Sequence, residues 1–339
     1  MTSKGNGLQF GLWYSFRNPQ KWAISTVDLY QQTLAQIQWA ESIGYEDVWL
    51  TEHHFCEEDE HAPSILTIAS AVAAVTRTIR IGTGVLLLPL HNAVRVAEDS
   101  ATIDIISGGR FELGIGVGYK PDEFDNLGVD PSHRAGLADE GLQVIRALWT
   151  GKPTSYKGLH YNLDNATLAP LPVQKNMPLW VGGFAPVAAK RAARLGTGYI
   201  GTGDMTQQSK IFLEEWDKLG RNGEGELAGG HFWLIVSSDP EKTFSRVAPH
   251  VLYQIQMYNI WLGNAGQNLF PEINKLDELR ELGILNCVSP QQACDMIGDY
   301  RDSTGIKRYY TWTVPPGFPV REMDEHLELF ATDVIPHFR

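Results

Sequence analysis

The chain has 339 residues, 43% of them apolar and 10% aromatic, enough to bury one large core or two ordinary ones. That balance excludes a collagen repeat, low-complexity sequence and intrinsic disorder. With 28 Lys and Arg against 40 Asp and Glu the net charge is −12, so nucleic acid and anionic membrane surfaces are not expected partners, because both would repel it.

Two hydrophobic periods alternate along the chain. Residues 8–13 predict a short apolar strand. A helix follows, with Val27, Tyr30, Leu34 and Ile37 on one face at helical spacing. Ser25 stands three residues before Asp28 as a capping pair, and Gly44 suits a left-handed C-terminal position. A strand at 47–51 precedes a helix from about Pro63, a residue fitted to a first helical turn. A strand over 79–87, a helix over 93–106 closed by Gly108 and Gly109, and a strand over 110–117 continue the alternation. Beyond them the pattern predicts a helix at 134–149, a strand at 178–182, a helix at 186–195, a strand at 198–202 and a helix at 206–219. A strand at 231–237, helices at 240–262 and 289–302, a strand at 307–314 and a helix at 320–335 complete the chain.

Eight strands, each followed by a helix, predict an α/β fold of the (β/α)8 TIM barrel type, with length to spare for insertions. A doubly wound open sheet is the rival, but no Gly-x-Gly-x-x-Gly stands directly after the first strand. Residues 151–177 alternate around Gly158 and predict a hairpin inserted between barrel units. Residues 263–288 predict a long loop, placed to act as a lid. The whole span 1–339 reads as a single barrel domain without internal repeats.

Cys56, Cys287 and Cys294 are an odd number in a long chain, which speaks for a reducing cytoplasm rather than a disulfide framework. Residues 1–8 contain no apolar signal-peptide core, and the greasiest stretch, 85–90, is far too short to span a bilayer. A soluble cytoplasmic protein is expected.

Barrel active sites form at the C-terminal ends of the strands, which ranks the candidates. Glu52, His53 and His54 end the second strand as the densest ionisable cluster in the chain. Adjacent strand residues face opposite ways, so the two histidines are poorly placed to chelate one ion, and no metal site is expected. Gly82 and Gly84 interrupt the third strand, where a glycine marks either a close ligand approach or a tight barrel contact. Gly114, Gly116 and Gly118 end the fourth strand with bare backbone. Gly182, Gly183 and Phe184 lead from the fifth strand into a helix, an arrangement that offers free N–H groups to a phosphate. Thr202 and Gly203 repeat it after the sixth strand. Arg110, with Glu98 and Asp99 nearby in sequence, is expected to do structural work at the barrel bottom by pairing with helix carboxylates. Trp13, Phe16, Trp22, Phe55 and Tyr119 are candidates for an apolar mouth.

Taken together, these stretches resemble the bacterial luciferase-like family of flavin- and deazaflavin-dependent oxidoreductases, which are (β/α)8 barrels. The resemblance rests on Val48 to Phe55 (VWLTEHHF), on residues 81–89, on Val94-Arg95-Val96-Ala97-Glu98-Asp99, on Ser107 to Gly114 (SGGRFELG) and on residues 178–198. It implies a flat flavin in the barrel mouth, its ring on a bulge of Thr83, Gly84 and Val85 with a cis peptide between Gly84 and Val85. It further implies contacts from Gly116, Val117, Gly118 and Tyr119, and a phosphate against Gly182, Gly183, Phe184, Thr202 and Gly203. His53 resembles the catalytic histidine of the luciferases, with Glu52 and His54 beside it.

The function so implied is a monooxygenase that takes reduced FMN from a separate reductase and uses O2 to oxygenate a small organic, apolar substrate such as an aldehyde, a terpenoid or an aromatic. FMN-using members commonly carry an Arg where Val117 stands here. Members with a small residue there, followed by a segment like Asp122-Glu123-Phe124 with Leu127-Gly128, often use F420 for hydride transfer. The Glu-His-His-Phe motif is closer to the FMN branch, so FMN is the expected cofactor and F420, with its own reductase, the alternative. The resemblance also implies a homodimer. From other classes, a metal-dependent barrel hydrolase using His53 or His54 and a non-catalytic flavin-binding barrel are the rivals; bound zinc would favour the first, and indifference to His53→Ala the second.

Overall fold

Strands of consecutive buried apolar residues, bounded by glycine and acidic turns, close on one another as a parallel barrel. The computed structural model describes residues 7–221, 223 and 225–339, so the leader reading of residues 1–8 falls outside it except at Gly7 and Leu8. The strands are β1 (Gln9–Tyr14), β2 (Asp47–Leu50), β3 (Arg80–Thr83) with its continuation β4 (Leu86–Leu87), β5 (Phe111–Gly116), β6 (Thr154–Lys157), β7 (Asn162–Ala166), β8 (Leu179–Gly182), β9 (Gly198–Thr202), β10 (Glu226–Gly230), β11 (Trp233–Val236), β12 (Leu285–Val288) and β13 (Arg308–Trp312). The barrel order is β1-β2-β3-β5-β8-β9-β10-β13, returning to β1. The neighbours are parallel, in registers such as Leu12 with Val48 and Val48 with Ile81. The (β/α)8 TIM barrel is therefore the fold.

Helices α1 (Thr26–Ile43), α2 (Ile65–Val75), α3 (Ala93–Ser107), α4 (Pro121–Asn126), α5 (Arg134–Leu148), α6 (Pro186–Leu195), α7 (Thr206–Lys218), α8 (Pro240–Asn264), α9 (Leu276–Glu281), α10 (Pro290–Thr304) and α11 (Asp324–Leu329) are interleaved with them. At the ends of α1 the Ser25 side chain accepts the Asp28 N–H, and Gly44 takes φ +109°. Among the described residues no helix is long and apolar enough to cross a membrane.

The seventh barrel strand is β10, and the segment predicted for it, 231–237, lies outside the barrel. β10 reads Glu-Leu-Ala-Gly-Gly, which carries almost no apolar signal. Its glycines are required by space: a Cβ at Gly229 or Gly230 would collide with Met205 or with the Tyr310 backbone. The more apolar β11 is fully buried and pairs in parallel with β12 in a separate two-stranded sheet. Residues 263–288, expected as an unbroken loop, carry α9 and β12 instead. Within 151–177, β6 and β7 pair antiparallel, with Tyr156 opposite Leu163. The Glu140 carboxylate accepts the N–H groups of Leu159, His160 and Tyr161 there.

The N-terminal end of the barrel is closed by charge and indole. Arg308 and Arg80 both pair with Glu112, and Arg308 also reaches Glu226. Trp180 donates to Glu112 and Trp49 to Asp47, each at 2.6 Å. The indole rings of Trp49 and Trp180 occupy the places where side chains at Gly82 and Gly198 would lie. Gly82 is thus a tight barrel contact. Arg110 bonds backbone carbonyls of Ala73, Thr76, Ile79 and Ser107 rather than helix carboxylates; Arg95 takes Glu98 and Asp99.

Candidate active site

The turn after β2 separates its two histidines. His53 points into the protein, 5% exposed, with Nδ1 at 2.9 Å from Glu123 Oε1 and Nε2 at 3.4 Å from the Tyr119 hydroxyl. Its ring meets those of His61 at 4.9 Å and Trp261 at 5.1 Å. The same Glu123 oxygen accepts the His54 backbone N–H at 2.8 Å. His54 turns to the other side, where its Nε2 lies 2.9 Å from Glu52 Oε1.

Glu52 is a hub rather than a free acid. Its Oε1 also meets His91 Nε2 at 2.6 Å, and its Oε2 accepts the Leu87 N–H at 2.6 Å. Burial alone would raise this carboxyl, but the hydrogen bonds from His54 and His91, the charge of His91 and the Leu87 N–H outweigh it and hold the group at about 2. His91, despite its own burial, is raised by the same carboxylate. The ligand atoms of Glu52, His54 and His91 lie within 4.8 Å of one another, and both nitrogens are already engaged by the carboxylate.

Between β3 and β4 the Gly84–Val85 peptide is cis. Trp13 Nε1 donates to the Gly84 carbonyl at 2.9 Å, and Gly84 and Val85 are part-exposed where their neighbours are buried. The Thr83 hydroxyl is spent on strand pairing, with both the N–H and the carbonyl of Gly114 as partners. Val85 explains two glycines assigned to ligand contact. Its methyls lie 2.6 Å and 2.8 Å from where a Cβ would stand at Gly116 and Gly182, so this bare backbone is filled from inside the protein.

The later strand ends divide similarly. The Gly203 N–H donates to the Gly230 carbonyl, its own carbonyl accepts the Tyr300 hydroxyl, and the Thr202 hydroxyl lies 3.0 Å from that of Tyr310. These groups, expected to hold phosphate, have protein partners. The turn from Gly183 (φ +144°) into α6 is exposed, with Phe184 50% accessible. Val117, Gly118 and Tyr119 are half-buried, and Arg134 reaches the Gly118 carbonyl at 3.4 Å.

Trp13, read as a mouth residue, reaches the bulge through its bond to the Gly84 carbonyl, whereas Glu123, His91, Trp261 and Arg134 were not legible as site residues. Only Glu123 had a local signal, the acidic pair after the glycine-rich strand end. The others arrive from elements distant in sequence. Trp22, read as a mouth residue, meets the tilted His250 ring at 4.1 Å beside a separate surface cavity of about 370 Å³.

The strand ends of this barrel carry a Glu-His-His turn, a cis-bonded glycine bulge and an exposed glycine turn into a helix. The profile of the luciferase-like monooxygenases matches residues 8–280, and the chain belongs to that family. It is 35% identical over 315 residues to a 4-hydroxyprotoasukamycin monooxygenase of Streptomyces nodosus subsp. asukaensis, covering 89% of this chain and 85% of that one. It is equally 35% identical over 315 residues to an F420-dependent glucose-6-phosphate dehydrogenase of Amycolatopsis mediterranei (strain U-32), covering 88% and 92%. In fold it resembles the monooxygenase RslO1 of Streptomyces bottropensis, with a TM-score of 0.84, 22% identity and coverage of 98% and 100%. Family membership makes the chain an enzyme of the monooxygenase and F420-dependent oxidoreductase class.

Proposed function

We propose that this enzyme is a flavin-dependent monooxygenase that uses reduced FMN, supplied by a separate reductase, and O2 to oxygenate a small apolar organic substrate. The observation that carries the reading is an arc of part-exposed residues at the ends of neighbouring strands, formed by Gly84 and Val85, Val117 to Tyr119, and Gly183 with Phe184. Elsewhere these strands are buried. Such an arc fits a flat heterocycle whose charged tail points to the N-terminus of α6.

The residues present fit the group. Gly84 and Val85 would support the ring system, Val117 and Gly118 would flank it, and the Gly183 turn would receive the phosphate. Bound FMN supplies the redox chemistry with O2. The chain's own residues orient and enclose. His53 would hold or deliver a proton from Nε2, its Nδ1 side being fixed by Glu123. Trp261, Tyr119 and Tyr258, whose rings each meet that of His53, would keep water from the reacting atoms. Glu52 would act at one remove, fixing Leu87 and hence the bulge before it.

Two observations favour the second reading, an F420-dependent oxidoreductase. Val117 stands where FMN-using members of the family commonly carry an Arg, and a relative as similar as the monooxygenase is named for F420. A homodimer belongs to either reading. The test is incubation of the purified protein with reduced FMN, 18O2 and a panel of aldehydes, terpenoids and aromatic ketones. Incorporation of one labelled oxygen supports the proposal. Label-free two-electron oxidation that depends on F420 instead would replace it with the second reading.

A further inference from the structure

Buried polar atoms without hydrogen-bond partners gather round His53. Arg17, just after β1, is 3% exposed; its Nε and Nη2 face Asp59, which leaves Nη1 without a partner. His61 is 3% exposed, 4.9 Å from His53, and neither ring nitrogen makes a well-formed hydrogen bond. Glu123 Oε2, the oxygen not used by His53, is also unpartnered. Buried polar groups are nearly always paired, and leaving one unpaired is costly. Several orphans round one ring mark a place completed by a bound polar atom, of water or of a ligand.

We propose that Arg17 Nη1 and His61 form an oxygen-recognition subsite, which takes the ring-bound carbonyl or phenolic oxygen of an aromatic substrate and sets its ring against His53. This deepens the monooxygenase reading and rests on it for the role of His53. The ring is implied by the walls: the Arg17 guanidinium lies 5.1 Å from the Trp261 ring and 5.5 Å from that of Tyr258. A neutral oxygen, rather than a carboxylate, is implied by the charges. Asp59 cancels Arg17. Burial, together with the neighbouring His53 and Arg17, holds His61 well below its ordinary pKa and hence uncharged. Lys120, whose charge also reaches His61, is itself paired with Asp122, so neither nearby cation is free to offset the desolvation of an added anion. Access follows from Trp261, whose ring meets that of His53 and which also lines an open cavity of about 600 Å³ with Phe55, Lys120 and Ile260. The indole is held by its N–H to Glu58 at 2.9 Å and by Lys120 at 5.6 Å from the ring, and its displacement would admit the substrate.

The experiment is calorimetric titration of the full chain with 1-tetralone, 2-naphthol, tetralin and 2-naphthoate. The ketone and the phenol should bind at least tenfold more tightly than the hydrocarbon or the carboxylate. His61→Phe and the double variant Arg17→Met/Asp59→Leu, which leaves no lone buried charge, should lose that preference while binding FMN or F420 as the parent does. Equal affinity for tetralone and tetralin, tightest binding of the carboxylate, or a preference that survives both variants would overturn the subsite. If the double variant fails to fold by circular dichroism, the parent series and His61→Phe decide. Oxygen preference without binding of either cofactor would remove the flavin reading and leave the subsite standing.

Discussion

Glu123 reaches across 70 residues of sequence to hold His53, its Oε1 at 2.9 Å from Nδ1. That contact orients the ring and leaves Nε2, the nitrogen to which the proposal gives a proton, facing the Tyr119 hydroxyl. It also separates His53 from His54, whose backbone N–H the same oxygen takes while its imidazole turns to Glu52.

His53→Ala should therefore lower turnover by two orders of magnitude or more, within the ordinary worth of a general acid or base, with cofactor affinity mostly retained. Steady-state turnover beside a fluorescence titration of the cofactor measures both. Unchanged turnover would remove His53 from the mechanism.

Glu123→Gln keeps the shape but not the charge. A hydrogen bond to a charged group contributes about 1.5–3 kcal/mol, so turnover should fall roughly tenfold to a hundredfold, with a displaced pH profile. A fall in KM alone, with the profile in place, would contradict an orienting role.

Glu52 predicts an acid-side loss of stability. Its carboxyl is depressed to about 2 in the folded protein, against about 4.3 in an unfolded chain, so its stabilising contribution is full above the higher value and disappears as pH falls through the lower one. Glu52→Gln should reduce the melting temperature at pH 7 and flatten its dependence on pH between about 4 and 2. The expected loss is about 3–5 kcal/mol for a buried pair broken on one side, read by denaturant titration.

Asp47 runs the opposite way. Burial, moderated by Arg308 and reinforced by Glu112, raises it to about 7. The folded protein then keeps a proton that the unfolded chain releases near 3.9, so this group's contribution to stability declines as pH rises from about 4 to 7. Asp47→Asn should flatten that decline and leave the protein at least as stable at pH 8. A steeper decline in the variant would reverse the assignment.

Much of the fold was legible because its signals are local. The Ser25–Asp28 cap, Gly44 and the apolar strands needed only neighbours in sequence. β10 was not, since the glycines that let Met205 and Tyr310 approach it erase the apolar run by which strands are recognised. The site was legible as places rather than roles. The strand-end rule points to His53, Gly84 and Gly183 and equally to Thr83, Gly116, Gly182, Thr202 and Gly203, and in the structure groups or space of the latter five are met by Gly114, Val85, Tyr310 and Gly230. Which glycine faces a ligand and which faces a side chain depends on contacts between strands. No single segment carries that information. Glu52 shows the same limit, since its partners His91 and Leu87 lie more than thirty residues away.

The central claim is that a planar redox heterocycle sits on the bulge at Gly84. Titrating the purified protein with FMN and with F420, followed by cofactor fluorescence, tests it most directly when run beside Gly84→Leu. A side chain there would press on Trp49 and Trp13, 3.1 Å and 3.3 Å from the new Cβ, and on the ring above. The account predicts saturable binding of one cofactor by the parent and at least tenfold weaker binding by a folded Gly84→Leu. No saturable binding of either cofactor, or equal binding by the variant, would contradict it.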